Sequence, residues 1–202
     1  MTDDRPFGGG EGMVMKPEPL AACLRAACVG DEAGARVILL SPRGETFTQQ
    51  TAARLAGYKR LVLVCGRYEG VDERFRERYV DEELSIGDYI LTGGELAALV
   101  VLDSVTRLLP GVLGCEDSAS QDTFSRGLLK HGHYTRPREF EGMAAPDVLL
   151  SGDHAAITTY RFLESVRITM ARRPEMLATV HFTPVEIKLL KREGLWARLE
   201  TI

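Results

Sequence analysis

The sequence predicts an α/β domain built on a parallel sheet, followed by a smaller helical, basic domain. Three observations carry that expectation. Arg36–Ser41 and Arg60–Cys65 are near-continuous runs of Val, Ile and Leu, the pattern of strands covered on both faces. Helical patterns alternate with these runs, as βαβ units require. After residue 122 such runs stop and the charge changes sign. Residues 1–122 hold 13 Lys and Arg against 20 Asp and Glu, a net of −7, whereas residues 123–202 hold 12 against 9, a net of +3. The polar, aperiodic stretch 115–122 reads as a linker, which places one domain at 1–114 and the other at 123–202.

Taken in order, residues 1–19 are loop-like, because Gly8, Gly9, Gly10 and Gly12 suit neither helix nor strand and Pro6, Pro17 and Pro19 punctuate them. Leu20–Val29 reads as a helix closed by Gly30. The strand Arg36–Ser41 ends at Pro42-Arg43-Gly44, and Thr48 caps a helix through Leu55 and Ala56. The strand Arg60–Cys65 leads into the turn Gly66–Gly70 and a charged helix over Val71–Arg78. Tyr79–Leu84 reads as a short, partly acidic strand. The stretch Ser85–Glu95 then carries Gly87, Gly93 and Gly94 around a short apolar strand, Tyr89–Leu91, before an apolar helix to Leu109. Three glycines within eight residues suit a shaped turn with close backbone approach. Its place at the carboxyl end of a strand is where open α/β sheets bind ligands; the plainer alternative is a simple strand–helix connection. The face of the Glu95–Leu109 helix is apolar enough to suggest packing on the sheet and on a second subunit. In the second domain Asp153 caps a helix through Arg172, Pro174 breaks it, and Thr183, Pro184 and Glu186 form a capping box for a helix to Leu199.

Composition excludes several classes. At 202 residues, 45% of them apolar, the chain supports a real core. It has no apolar run of transmembrane length and no apolar h-region near Met1. Cys23, Cys28, Cys65 and Cys115 form no CxxC pair and no metal spacing, so they read as thiols in a reducing cytosol. The Gly8–Gly12 loop lacks the Lys-Ser/Thr ending of a phosphate loop. The basic second half is a modest footprint for a polyanion, with solvated helix faces as the alternative.

Several motifs then occur in a fixed order. They are Asp3-Asp4-Arg5-Pro6-Phe7-Gly8-Gly9-Gly10, Leu40-Ser41-Pro42, Cys65-Gly66-Arg67-Tyr68-Glu69-Gly70-Val71-Asp72-Glu73-Arg74, Ser85–Leu96, Pro110–Gly114 and His133-Tyr134-Thr135-Arg136-Pro137. Together they resemble, over essentially the whole chain, the bacterial tRNA (guanine-N1)-methyltransferases of the SPOUT class, which methylate the guanosine just 3′ of the anticodon. The resemblance implies a SPOUT-type α/β parallel sheet with a deep trefoil knot, a small helical C-terminal domain, a homodimer, and a cytoplasmic enzyme with tRNA as partner and neither membrane nor DNA. It implies S-adenosylmethionine as methyl donor, with the participation of Mg²⁺ left open and no metal-ligating residues assigned.

Carried over by motif, the donor pocket would comprise Leu40, Ser41 and Pro42, then Gly66, Tyr68 and Glu69, then Ser85, Ile86, Gly87, Tyr89, Leu91, Gly93 and Gly94. A sulfonium nucleoside asks for apolar walls, backbone hydrogen bonds and a carboxylate, not a phosphate cradle. The implied catalytic pair is Asp122, as base for the guanine N1 proton, and Arg107, stabilising charge on O6. Burial or a nearby carboxylate is expected to raise the basicity of Asp122. The alternatives are a helix N-cap at Thr123 for Asp122 and an ion pair with Asp103 for Arg107. Asp4, Gly8, Gly9 and Gly10 are expected near the target base. His133, Tyr134 and Arg136, with His131 and Arg138, make a basic, aromatic cluster suited to RNA. Arg161, Arg172 and Arg173 suit phosphates or an ordinary helix surface.

Two departures stand out. Family members begin with a strand and a helix before the Asp-Asp-Arg-Pro loop, whereas this sequence opens on that loop, so a shortened N-terminus that exposes apolar sheet surface is expected. Ala97 stands where the family often has proline. The other readings are a SPOUT enzyme acting on a ribose 2′-hydroxyl, and a non-catalytic RNA-binding remnant.

Overall fold

The computed structural model describes residues 1–28, 34–114 and 122–200, which form two compact units, Met1–Glu116 and Asp117–Ile202. In the first, a parallel three-stranded sheet has β3 (Ala35–Thr46) between β4 (Arg60–Cys65) and β5 (Glu82–Ser85). Ile38 lies opposite Leu63 on one side and Glu82 on the other. The residues Val37–Leu40 are buried, as a continuous apolar run on a central parallel strand demands.

Pro42 does not end β3. Pairing with β5 breaks after Leu40 and resumes at Glu45, so Pro42 sits in a bulge where its missing N–H costs no ladder bond. Gly44 allows the return: a Cβ there would lie 2.4 Å from the Leu84 backbone nitrogen. Helix α2 (Gln49–Leu55) starts where Thr48 accepts from the Thr51 N–H, as expected, and α3 (Glu73–Tyr79) starts at Glu73, capped by Asp72, rather than at Val71. Helix α4 (Glu95–Thr106) presents Ala97, Val101 and Val105, spaced by one turn, to the core formed by Ile38, Leu40, Ala52, Leu55 and Leu84. Burying each such Val or Leu stabilises the fold by about 1.5–3 kcal/mol. The opposite face leaves Leu96, Leu99, Val100 and Leu102 exposed.

Three other expectations are corrected in this unit. Tyr79–Leu84 is not the strand; β5 begins at Glu82, after the Tyr79 end of α3. Tyr89–Leu91 is not a strand but a loop, because no neighbouring strand is in register and Ile90 is 80% exposed. The N-terminal stretch is not all loop: β1 (Asp3–Asp4) pairs antiparallel with β2 (Val14–Met15), and α1 (Pro17–Ala27) starts at Pro17, pre-set for N1. Gly30 lies outside the described residues.

In the second unit, α5 (His154–Arg172) is capped by Asp153, which accepts from the Ala155 and Ala156 N–H groups at 3.0 Å. Its Leu163 and Val166 join Leu128, Leu177, Leu190 and Leu195 in a core. Thr169 is buried without cost because its hydroxyl donates to the Ser165 carbonyl and accepts from the Leu129 N–H. The capping box at Thr183 opens α6 (Pro184–Arg192). The last helix is not continuous to Leu199: Gly194, at φ +68°, separates α6 from α7 (Trp196–Leu199). A small exposed hairpin, β6 (Glu139–Phe140) with β7 (Met143–Ala144), also interrupts the helical pattern.

Candidate active site

Three segments converge at the carboxyl ends of the sheet strands and enclose a cavity of about 430 Å³. They are the β3 bulge, the turn after β4 and the loop between β5 and α4. Leu40, Ser41, Pro42, Gly66, Tyr68, Glu69, Ser85, Ile86, Gly87, Tyr89, Leu91, Gly93 and Gly94 all lie on its wall. The loops are held by short-range bonds. The Gly94 N–H donates to the Gly66 carbonyl at 2.9 Å, and Gly93 bridges Arg67. Position 94 must be glycine, since a Cβ would stand 2.8 Å from the Cys65 Cα. Ser85 Oγ accepts from the Gly87 N–H and donates to its carbonyl, both at 3.2 Å, and the Tyr89 hydroxyl donates to the Ile86 carbonyl. Tyr68 takes a left-handed φ of +59°, an uncommon conformation for a residue with a Cβ.

The sequence did not single out the charged part of this wall. Arg43 pairs with Glu73, Glu73 with Arg76, and Arg76 with Glu83, all within 3.3 Å. The Arg76 guanidinium, then that of Arg43, holds the Glu73 carboxyl below its ordinary range. Arg67 pairs with Glu95 at 2.8 Å. Each arginine on the wall is thus matched by a carboxylate, whereas Glu69 has no ion-pair partner among the described residues. Burial, then Glu95, pushes the Cys65 thiol pKa up and keeps it an uncharged neighbour.

The N-terminal hairpin is stitched to the turn after β4. Glu69 N–H donates to the Met13 carbonyl, Met15 N–H to Gly70, and Asp72 N–H to Met15, at 2.9–3.0 Å. Asp4 is on β1, and Gly8, Gly9 and Gly10 form the exposed tip with φ between +80° and +115°. No sequence signal marks this docking, because two-residue strands carry no periodicity.

Arg107 is half-buried at the end of α4, in the first unit, and Asp122 belongs to the second. Asp122 is not a helix N-cap: residues 123–127 form turns, with Phe124 and Gly127 at positive φ. The Lys130 ammonium lies 3.0 Å from Asp122 Oδ1. His131, His133, Tyr134, Arg136, Arg138 and Arg161 line a second cavity of about 440 Å³ within that unit. The His131 and His133 rings stack at 4.6 Å. Arg172 and Arg173 do not line it. No cluster of three metal-ligating side chains and no helix long and apolar enough to cross a membrane occurs among the described residues.

A family profile described as tRNA (Guanine-1)-methyltransferase TrmD matches residues 1–179. The chain belongs to that family. Relatives in the TrmD family named tRNA (guanine-N(1)-)-methyltransferase include one from Desulfatibacillum aliphaticivorans, 56% identical over 96% of this chain and 73% of its own length. Another, from Dehalococcoides mccartyi, is 54% identical over 94% of this chain and 76% of its own length. A third, from Geobacter sulfurreducens, is 51% identical over 96% of this chain and 80% of its own length.

Proposed function

We propose that this protein transfers a methyl group from S-adenosylmethionine to N1 of the guanosine immediately 3′ of the anticodon in tRNA. The observation that carries the reading is the cavity formed by three glycine-punctuated loops in a member of the TrmD family. Its chemistry fits the donor. The backbone approaches closely at Gly66 and Gly94, the walls include Leu40, Ile86 and Leu91, the arginines are neutralised, and Glu69 offers negative charge. When bound, the donor supplies an activated methyl on a sulfonium, so the protein mainly aligns the two reactants. Asp122 takes the proton as N1 gains the methyl, and Arg107 stabilises negative charge on O6. To do so, Asp122 exchanges its contact with Lys130 for the base.

Asp4 and Gly8–Gly10 border the target base, while His133, Tyr134 and Arg136 contact the strand. The exposed Leu96, Leu99, Val100 and Leu102 face of α4 suits a second copy of the chain, so the working form is a homodimer whose sheet carries the family's trefoil knot. The compartment is the cytoplasm, and a requirement for Mg²⁺ is settled by adding a chelator. The test is incubation with methyl-labelled donor and an unmodified tRNA bearing guanosine after the anticodon. Label should appear on the base, not the ribose, after nuclease digestion. Incorporation no higher than with Asp122→Ala would overturn the reading.

A further inference from the structure

Residues 122–130 fold back on themselves. The Lys130 N–H donates to Thr123 Oγ1 at 3.1 Å, and its ammonium reaches Asp122 Oδ1 at 3.0 Å. The Phe124 N–H donates to the Leu128 carbonyl at 3.2 Å, and Phe124 and Gly127 both take positive φ. No helix or strand carries this turn, so its place on the unit depends on what ties it down. One limb is fixed to the core: Leu128 is buried, and the Leu129 N–H donates to the buried Thr169 hydroxyl at 2.9 Å. The tip is fixed twice. Gly127 backs onto Val180, where a Cβ would lie 3.0 Å from Cγ2, and Arg126 Nη2 lies 2.8 Å from Glu186 Oε1 on α6.

Glu186 divides its carboxylate between two tasks. Its Oε2 accepts from the Thr183 N–H at 2.8 Å and from the Thr183 hydroxyl at 3.0 Å, which closes the capping box and leaves Oε1 for Arg126. Burial alone would raise the Glu186 carboxyl pKa, yet the Arg126 guanidinium and then the Thr183 donors hold it below its ordinary range. The acid side chain is 17% exposed against 56% for Arg126, so a rigid helix start anchors the pair and the turn is what it holds. We infer that Arg126 and Glu186 are positioning residues for methyl transfer: their ion pair sets the 122–130 turn on α6 and so aims the Asp122 carboxylate at the guanine N1. The inference rests on the reading of Asp122 as the base. A reacting group misplaced by about 1 Å costs about 10²-fold in rate, and the other tethers of the turn limit the loss to part of that.

The test uses the full chain, unmodified tRNA and methyl-labelled donor. Glu186→Gln removes the charge and keeps the cap, because glutamine serves a capping box as glutamate does. Arg126→Met removes the other charge and keeps an apolar stem. Each should lower kcat about tenfold and leave KM for donor and for tRNA within about twofold of wild type. Arg126→Lys should recover most of the rate, and the double variant should fall no further than either single one, as coupled groups do. In an Asp122→Ala background Arg126→Met should cause no additional loss, because the group it aims is gone. Wild-type thermal melting of the variants checks that the fold is intact. Wild-type kcat in both single variants overturns the inference, and so does a further loss in the Asp122→Ala background. Weakened tRNA binding in Arg126→Met that Glu186→Gln does not share makes Arg126 a phosphate contact and also overturns it. An Asp122→Ala variant as active as wild type defeats the reading of the base, and the inference with it.

Discussion

The two units each enclose a cavity of nearly equal volume, about 430 and 440 Å³, and they solve opposite problems. The first is walled by glycine backbone and apolar side chains, with its arginines matched by acids and one carboxylate, Glu69, left over. The second keeps Arg136 and Arg161 together with no acid on its wall. A neutral or cationic nucleoside suits the first and an anionic strand the second. The lesson is that the sign of the unmatched charge, rather than cavity size, distinguishes what each will hold.

The largest expected effect lies outside both cavities' binding roles. Asp122→Ala should lower methyl transfer by about 10²–10⁴-fold while donor affinity, measured by calorimetry, stays unchanged. Next, Gly94→Ala drives a methyl into the Cys65 backbone, an overpacking cost of about 1–3 kcal/mol. Donor binding should weaken about tenfold or more with tRNA affinity preserved; the reverse pattern would break the contrast between the units. Glu69→Gln is milder. It should weaken the sulfonium donor only a few-fold, as an exposed charge does, and leave the uncharged thioether product's affinity unaltered. Equal weakening of both ligands would remove Glu69 as the charge complement.

Much of this contrast was legible in residue types. The apolar runs of β3 and β4 and the caps at Thr48, Asp153 and Thr183 follow from local chemistry alone. Tyr89–Leu91 misled because an apolar triplet lining a cavity reads like a strand; only the absence of a paired neighbour separates them. Pro42 misled in the opposite direction, since the bulge that accommodates it depends on β5, over forty residues later. Arg161 was visible as a surface cation, but its approach to the His131–Arg138 segment is a product of tertiary folding.

The smallest prediction concerns stability. Glu82, hydrogen-bonded first by Arg54 and also by Arg36, is held below its ordinary value of 4.5. A carboxyl lowered on folding stabilises above that ordinary value and loses its contribution as the pH falls through the folded one. Glu82→Gln should therefore cost about 1 kcal/mol in urea titrations at neutral pH and nothing once the wild-type acid is protonated. A pH-independent cost would point to packing instead.

Gly12, in the N-terminal hairpin, reaches the turn after β4. At φ +83° it lies so near Glu69 that a Cβ would stand 2.7 Å from that side chain's Oε1. Any larger residue at position 12 would shove the carboxylate aside and retune the electric field of the first cavity from a place remote in sequence. Mutational scans limited to the pocket's lining would overlook this lever, and a chemist seeking inhibitors that act from outside the pocket could begin at that contact.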